Sequence, residues 1–210
     1  MKKAIEANKE KREYPQSTAS SVWSVAFELI ETFILCTCFI IVLFSMGIRV
    51  CNVDGSSMNT TLINGDLVVI SDIAYTPGQD DIVVFHLTNQ YYNKPLVKRV
   101  IATEGQWIDI KKDGNSLLIT IYDKNDTDFS DPIVYEDKYG YYSALDRDWI
   151  GYHEYPVQVP DGHVFVLGDN RWDSSDSRSE RVSFVDVRCI FGKVVARVKP
   201  IDKFTLFTND

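Results

Sequence analysis

Ser57 lies in the run Val53-Asp54-Gly55-Ser56-Ser57-Met58, and Lys98 lies in Val97-Lys98-Arg99-Val100. A third polar stretch reads Gly168-Asp169-Asn170-Arg171-Trp172-Asp173-Ser174-Ser175-Asp176-Ser177-Arg178. A serine hydroxyl is a poor nucleophile until a neighbouring base takes its proton. The three histidines, His86, His153 and His163, form no pattern resembling a Ser-His-Asp framework, and each reads as a surface or packing residue. Lysine can replace histidine if its amine is neutral near working pH, and burial achieves this by disfavouring the ammonium form. On a strand, Leu96, Lys98 and Val100 share one face, and Val97, Arg99 and Ile101 share the other. Lys98 therefore has apolar neighbours, whereas Arg99 is free to reach solvent or a distant acid. Taken alone, Lys98 reads as an ordinary edge-strand lysine. Gly55 permits unusual dihedrals beside the serine pair, in the kind of turn that aims amide N–H groups at a developing oxyanion. Gly-x-Ser by itself is a weak signal. Joined to Met58, Thr61-Leu62, the Lys-Arg strand and the acidic Ser/Asp loop, it points to acyl transfer by a serine with a lysine base.

The elements that must position these groups are mostly strands. Short β-rich runs separated by turn residues begin at Asp66. They cover 66–70, 81–87, 95–102, 107–110, 117–122, 163–167 and 192–198, with turns at Pro77-Gly78, Gly105 and Asp113-Gly114. A helical turn is expected over Phe184 to Val187. Residues 123–160 are acidic and tyrosine-rich with little periodicity, and read as an irregular flap inserted on one edge of the sheet.

Upstream, Thr32 to Ile48 is seventeen residues without charge. The amphipathic start from Val22, with Trp23 near its head and Glu28 and Glu31 on one face, extends it to a length that crosses ~30 Å of hydrocarbon. Lys2, Lys3, Lys9, Lys11 and Arg12 precede this segment, and Arg49 is the only Lys or Arg between it and Lys94. The positive-inside rule then puts the N-terminus in the cytoplasm. The expected organisation is a cytoplasmic tail (1–21), a transmembrane helix (22–48) and an extracytoplasmic catalytic β domain (49–210). A cleaved signal peptide is the competing reading, because Ser45-Met46-Gly47 loosely resembles a cleavage site. A permanent anchor suits the apolar length better.

Bulk properties narrow the partners. A net charge of −8 and 45% hydrophobic residues fit a globular domain and exclude a nucleic-acid binder, which needs clustered Lys and Arg. No metal-ligand spacing and no phosphate-cradling glycine loop is visible, so no cofactor is expected. Of four cysteines, Cys36 and Cys38 lie in the apolar run, and Cys51 and Cys189 read as small core residues rather than a bridge.

On the motifs around Ser57, Lys98 and residues 168–178, the chain resembles the bacterial type I signal peptidases of the short Gram-positive kind. The resemblance implies a mainly β fold shared with self-cleaving repressors, preceded by one transmembrane helix in the plasma membrane. It implies that Ser57 is the nucleophile and Lys98 the general base, with the Ser57 amide and the Gly55 position forming the oxyanion hole. It also implies that Ser174 hydrogen-bonds the lysine amine, that Asp176 and Arg178 brace the site, and that Asp169, Asn170 and Arg171 shape the turn. Val53, Met58, Val84 and Val97 fall where the family lines two shallow pockets, implying cleavage of preprotein signal peptides after Ala-x-Ala-type residues. The partners so implied are those signal peptides and the lipid bilayer, close to the secretion translocon. The chain departs from the family at Thr60, where proline is usual, at Asp80, where the usual pattern is Gly-Asp-Ile-Val, and at Thr103-Glu104-Gly105-Gln106, where Leu-Pro-Gly-Asp is common.

Three rival readings compete with this one. A self-cleaving repressor needs a DNA-binding domain for which residues 1–21 are too short, and the endoplasmic-reticulum type of signal peptidase has histidine where Lys98 stands. The remaining rival is a catalytically inactive, membrane-tethered β domain that binds exported polypeptides; the intact Ser57, Lys98 and Ser174 argue against it.

Overall fold

Runs of β-branched residues broken by Gly, Pro and Asp produce a mainly β chain. The computed structural model describes residues 18–45, 47–88, 91–142 and 151–207. The chain falls into two units, Met1–Ser45 and Met46–Asp210.

In the first unit, helix α1 runs Thr18–Ser45. Its segment Val22–Val42 is long and apolar enough to cross a membrane, with a mean hydropathy of 2.3. Large apolar side chains such as Trp23, Phe27, Phe33 and Phe39 stand exposed along it. Thr32 and Thr37 donate their hydroxyls to the carbonyls of Glu28 and Phe33, each at 2.8 Å, so the helix satisfies these polar groups internally. The helix stops at Ser45, short of the expected boundary at 48. Gly47 adopts a left-handed φ of 82°, a side chain there would overlap Asp72, and Ile48 already opens the first strand. The basic tail residues Lys2, Lys3, Lys9, Lys11 and Arg12, and Met46 of the loose cleavage-site match, lie outside the described residues.

The second unit contains β1 (Ile48–Asn52), β2 (Leu67–Ser71), β3 (Ile82–Phe85), β4 (Leu96–Thr103), β5 (Trp107–Asp113) and β6 (Ser116–Tyr122). It continues with β7 (Ile133–Tyr135), β8 (Val157–Gln158), β9 (His163–Leu167), β10 (Val185–Asp186), β11 (Ile190–Lys199) and β12 (Thr205–Leu206). The large antiparallel sheet has the order β1-β2-β11-β3-β4-β9-β10, with β12 pairing β11, and the small sheet has the order β7-β6-β5-β8. Ile101, Phe165 and Leu167 of the large sheet join Ile108, Ile110, Ile119 and Ile121 of the small one in a single apolar cluster. A second cluster gathers Val83, Phe85, Val100, Val164 and Val166, and a third gathers Val53, Met58, Leu62, Val68, Ile70, Ile82 and Val84.

Two expectations change. The described part of residues 123–160 is largely irregular, as expected, but it also supplies β7 and β8, which flank β6 and β5 in the small sheet. Periodicity could not reveal strands of three and two residues. The helical turn expected over Phe184 to Val187 is instead β10, because Val185 is fully buried and pairs with Val164 of β9. A 3-10 turn follows at Val187–Cys189, capped by the Asp186 carboxylate, which accepts from the Arg188 amide. Cys51 and Cys189 are free thiols.

Candidate active site

The nucleophile turn is held at both ends by the backbone of its own unit. Val53 donates to Asp66 O and accepts from Gly65 N, both at 2.9 Å, and Leu62 N donates to Met58 O at 2.9 Å. Met58 and Leu62 are fully buried, so the turn that carries Ser57 is nailed into the core on its far side. Ser57 itself is half-buried.

Lys98 comes from β4, which lies inside the sheet between β3 and β9 rather than at an edge. Its face-mates Leu96 and Val100 pack in the cluster around Val83 and Phe85. The lysine is 2% exposed, and its Nζ lies 2.6 Å from Ser57 Oγ and 3.1 Å from the Val97 carbonyl to which it donates. Burial pushes the amine down to about 8, against the opposing pull of Asp176 and Asp169. A lysine with that acidity is neutral in about a tenth of molecules at pH 7, far more than an ordinary lysine.

Arg99, one residue on, is also buried and reaches an acid, not solvent. Its Nε and Nη2 donate to the two oxygens of Asp169 at 2.9 and 2.7 Å. Thr61 Oγ1 donates to the same carboxylate at 2.6 Å, which ties the nucleophile turn to the 168–178 loop. That loop grips the turn again through Asn170. Its backbone amide donates to Ser57 O at 3.0 Å and its side chain to Ser56 O at 3.2 Å, while Ser56 Oγ donates to Asp173 at 2.7 Å. Gly168 makes the approach possible: a Cβ there would overlap both Ser174 Oγ and the Ser57 carbonyl oxygen.

Asp176 and Arg178 form a buried two-pronged pair, with Nε and Nη2 each 2.8 Å from a carboxylate oxygen. Asp176 also accepts from the Gly168 amide at 3.0 Å, and Arg178 donates to the Arg171 carbonyl at 3.1 Å. Burial raises the Asp176 carboxyl, but the Arg178 guanidinium, the Gly168 amide and the Ser174 hydroxyl together outweigh it and hold the group below its ordinary value. The pair therefore stays ionised and fixes the loop from within.

Several partners come from residues that sequence reasoning passed over. Asp137 accepts from Arg171 Nη2 and Nε at 2.6 and 3.0 Å, and Arg171 Nη1 donates to the Gly168 carbonyl. Tyr141 exchanges backbone hydrogen bonds with the same loop, its amide to Asp169 O at 2.7 Å and its carbonyl from Arg171 N at 3.0 Å. The Tyr139 ring lies 3.6 Å from the Arg99 guanidinium carbon, within cation–π range. The insertion is thus the outer wall of the ion network behind the site. The only hint in the sequence was its mix of aspartate and tyrosine.

Three expected roles differ in the structure. Ser174 Oγ is buried beside Gly168 and against the Asp176 carboxylate, which it helps hold ionised, and the lysine amine bonds Ser57 and Val97 O instead. Gly55 has a φ of 114°, but its amide is already donated to Asn64 Oδ1 at 3.0 Å, so it is not free for an oxyanion. The Ser57 amide makes no hydrogen bond among the described residues. Val84 is 1% exposed in the core and pairs with Val97 across β3 and β4; it supports the cleft wall without lining it.

The cleft beside Ser57 holds about 270 Å³ between residues 51–58 and 94–98, and Val53, Met58, Val97 and Lys98 contribute to its surface. A larger cavity of about 490 Å³, lined by Tyr75, Glu104, His163 and Arg188, shares no residue with it. Among the described residues, no group of His, Cys, Asp or Glu is arranged to hold a metal ion.

Asp80, where the related pattern has glycine, has a left-handed φ of 69°. Aspartate tolerates that conformation better than most side chains. Here its carboxylate accepts from the Tyr135 hydroxyl, and its carbonyl accepts from Arg99 Nη1 at 2.8 Å.

Comparison with known proteins is consistent across most of the chain. The family described as "Signal peptidase, peptidase S26" matches residues 26–199. Signal peptidase I of Bacillus caldolyticus is 35% identical over 160 residues, covering 72% of this chain and 80% of the relative. Signal peptidase IB of Staphylococcus aureus is 30% identical over 185 residues, covering 84% of this chain and 93% of the relative. A crystal structure of a signal peptidase I from Enterococcus faecalis V583 aligns at 23% identity with a TM-score of 0.36, covering 57% of this chain and 97% of the other.

Proposed function

The chain belongs to the type I signal peptidases, peptidase family S26, and on that premise we propose that it removes signal peptides with a Ser57–Lys98 dyad. The observation that carries the dyad is the 2.6 Å separation of Lys98 Nζ and Ser57 Oγ around an amine that burial has made weakly basic. In the neutral form the lysine accepts the serine proton as Oγ attacks the scissile carbonyl. The resulting ammonium then gives that proton to the departing amine, leaving an acyl-enzyme on Ser57. Water, deprotonated by the same amine, releases the cleaved peptide. The Ser57 amide, uncommitted to any described partner, is the backbone donor for the tetrahedral oxyanion.

The substrate lies extended in the cleft between residues 51–58 and 94–98. Its −1 and −3 side chains turn inward to Val53, Met58 and Val97, and such a narrow, apolar space favours small residues of the Ala-x-Ala kind. Helix α1 is the membrane anchor. The five basic residues before it set the N-terminus in the cytoplasm and the catalytic unit on the outer side of the plasma membrane, close to where translocated chains emerge. The test is preprotein cleavage by the purified full chain. Wild type processes the substrate, whereas Ser57→Ala and Lys98→Ala lose essentially all turnover; equal processing by all three would falsify the dyad.

A further inference from the structure

We propose that Asp54 and Lys94, joined across the mouth of the cleft, read the charge of the substrate side chain at −2. The inference rests on the substrate placement given above.

Asp54 belongs to one wall of the cleft and Lys94 to the other. Lys94 Nζ lies 2.8 Å from Asp54 Oδ2, yet the two side chains are 74% and 70% exposed. They and Lys98 are the charged residues that line the cleft, and Lys98 is committed to Ser57. Asp54 directly follows Val53, which is 5% exposed and faces the core, so successive side chains on this wall point in and then out.

An extended substrate alternates in the same way. With −1 and −3 directed to the apolar floor, the −2 side chain points outward to the mouth, where the ion pair sits. An exposed pair of this kind is weakly held and can be parted by a competing charge. An acidic −2 residue takes Lys94 from Asp54, and a basic one takes Asp54 from Lys94. With both present, the enzyme accepts either sign. Removing one partner leaves the other unbalanced and creates a preference.

The experiment measures kcat/KM of the full chain in detergent on three peptides that differ only in Ala, Glu or Lys at −2. Each charged-peptide value is divided by the same enzyme's value on the alanine peptide. The Glu/Lys ratio is near one for wild type. Asp54→Asn moves it roughly three- to fivefold towards Glu and Lys94→Gln by a similar factor towards Lys, the scale of an exposed charge pair. The double variant returns it to near one, and the preferences of both single variants shrink at high salt. A Glu/Lys ratio in both single variants equal to that of wild type overturns the proposal. That failure is separable from failure of the dyad, because the alanine peptide reports on Ser57 alone: if Ser57→Ala still cleaves it, the dyad is wrong.

Discussion

Asp137 receives two hydrogen bonds from the Arg171 guanidinium, at 2.6 and 3.0 Å, and both side chains are almost wholly enclosed. The pair joins the tyrosine-rich insertion to the loop behind the nucleophile, since Arg171 also donates to the Gly168 carbonyl. Removing the carboxylate would take away the two hydrogen bonds and leave the buried cation only the more distant Asp169, 4.0 Å from its Nη1, a change that costs up to about 3–5 kcal/mol when one partner of a buried pair is lost. Asp137→Ala is therefore expected to lower thermal stability strongly and to reduce cleavage, whereas Asp137→Glu retains part of both. Unfolding curves and kcat for the two variants check this.

The pH dependence follows from Lys98. Its amine is pushed down to about 8, so the neutral fraction falls about tenfold for each pH unit below that value. Activity is expected to rise with pH and level off just above 8. A profile that stays flat down to pH 5 would rule out a lysine base.

Burial of this lysine also has a cost in stability. The folded value of about 8 lies below the ordinary 10.5, so the unfolded chain binds more protons between those limits and stability rises with pH across that window. Below 8 both states are protonated and the penalty, about 3 kcal/mol, is present in full. Lys98→Met is expected to be inactive yet more stable than wild type by ~1–3 kcal/mol at pH 7, with the gain fading towards pH 10.5. Thermal unfolding of the detergent-solubilised full chain at pH 7 and pH 10 gives the comparison.

Gly168→Ala tests the close approach of the loop. The added methyl would meet Ser174 Oγ and the Ser57 carbonyl oxygen, and the second of these is backbone that cannot rotate away. The loop must retreat, and the Asn170 amide loses its grip on Ser57 O. A fall of about 10²-fold in kcat is expected, in line with the cost of a misplaced reacting group. Ser174→Ala, which removes one of several groups holding the Asp176 carboxylate and displaces no backbone, is expected to be far milder.

Much of this site was legible from local pattern. Alternating apolar runs located most strands of the large sheet, and the strand over His163 to Leu167 has the bounds its sequence suggests. The apolar neighbours of Lys98 pointed to its burial. What remained hidden depends on residues distant in the chain. Arg99 looked free because its partner Asp169 is 70 positions away. Asp137 and Tyr141 had no periodic signal, since they act through a loop some thirty residues downstream. Val84 is expected at a pocket surface on the family resemblance alone; only its packing against Val53, Met58 and Leu62, residues distant in the chain, shows that it is covered.

The bond from Lys98 Nζ to the Val97 carbonyl bears on direction as well as on acidity. A neutral amine has three tetrahedral positions, two filled by hydrogens and one by the electron pair. Anchoring one hydrogen on a fixed main-chain oxygen stops free spinning about the Cε–Nζ axis and leaves two staggered slots for the electron pair, one of them turned to the serine. The neighbouring carbonyl thus does for lysine what an aspartate does for the imidazole of other serine hydrolases: it orients the proton acceptor before any substrate arrives.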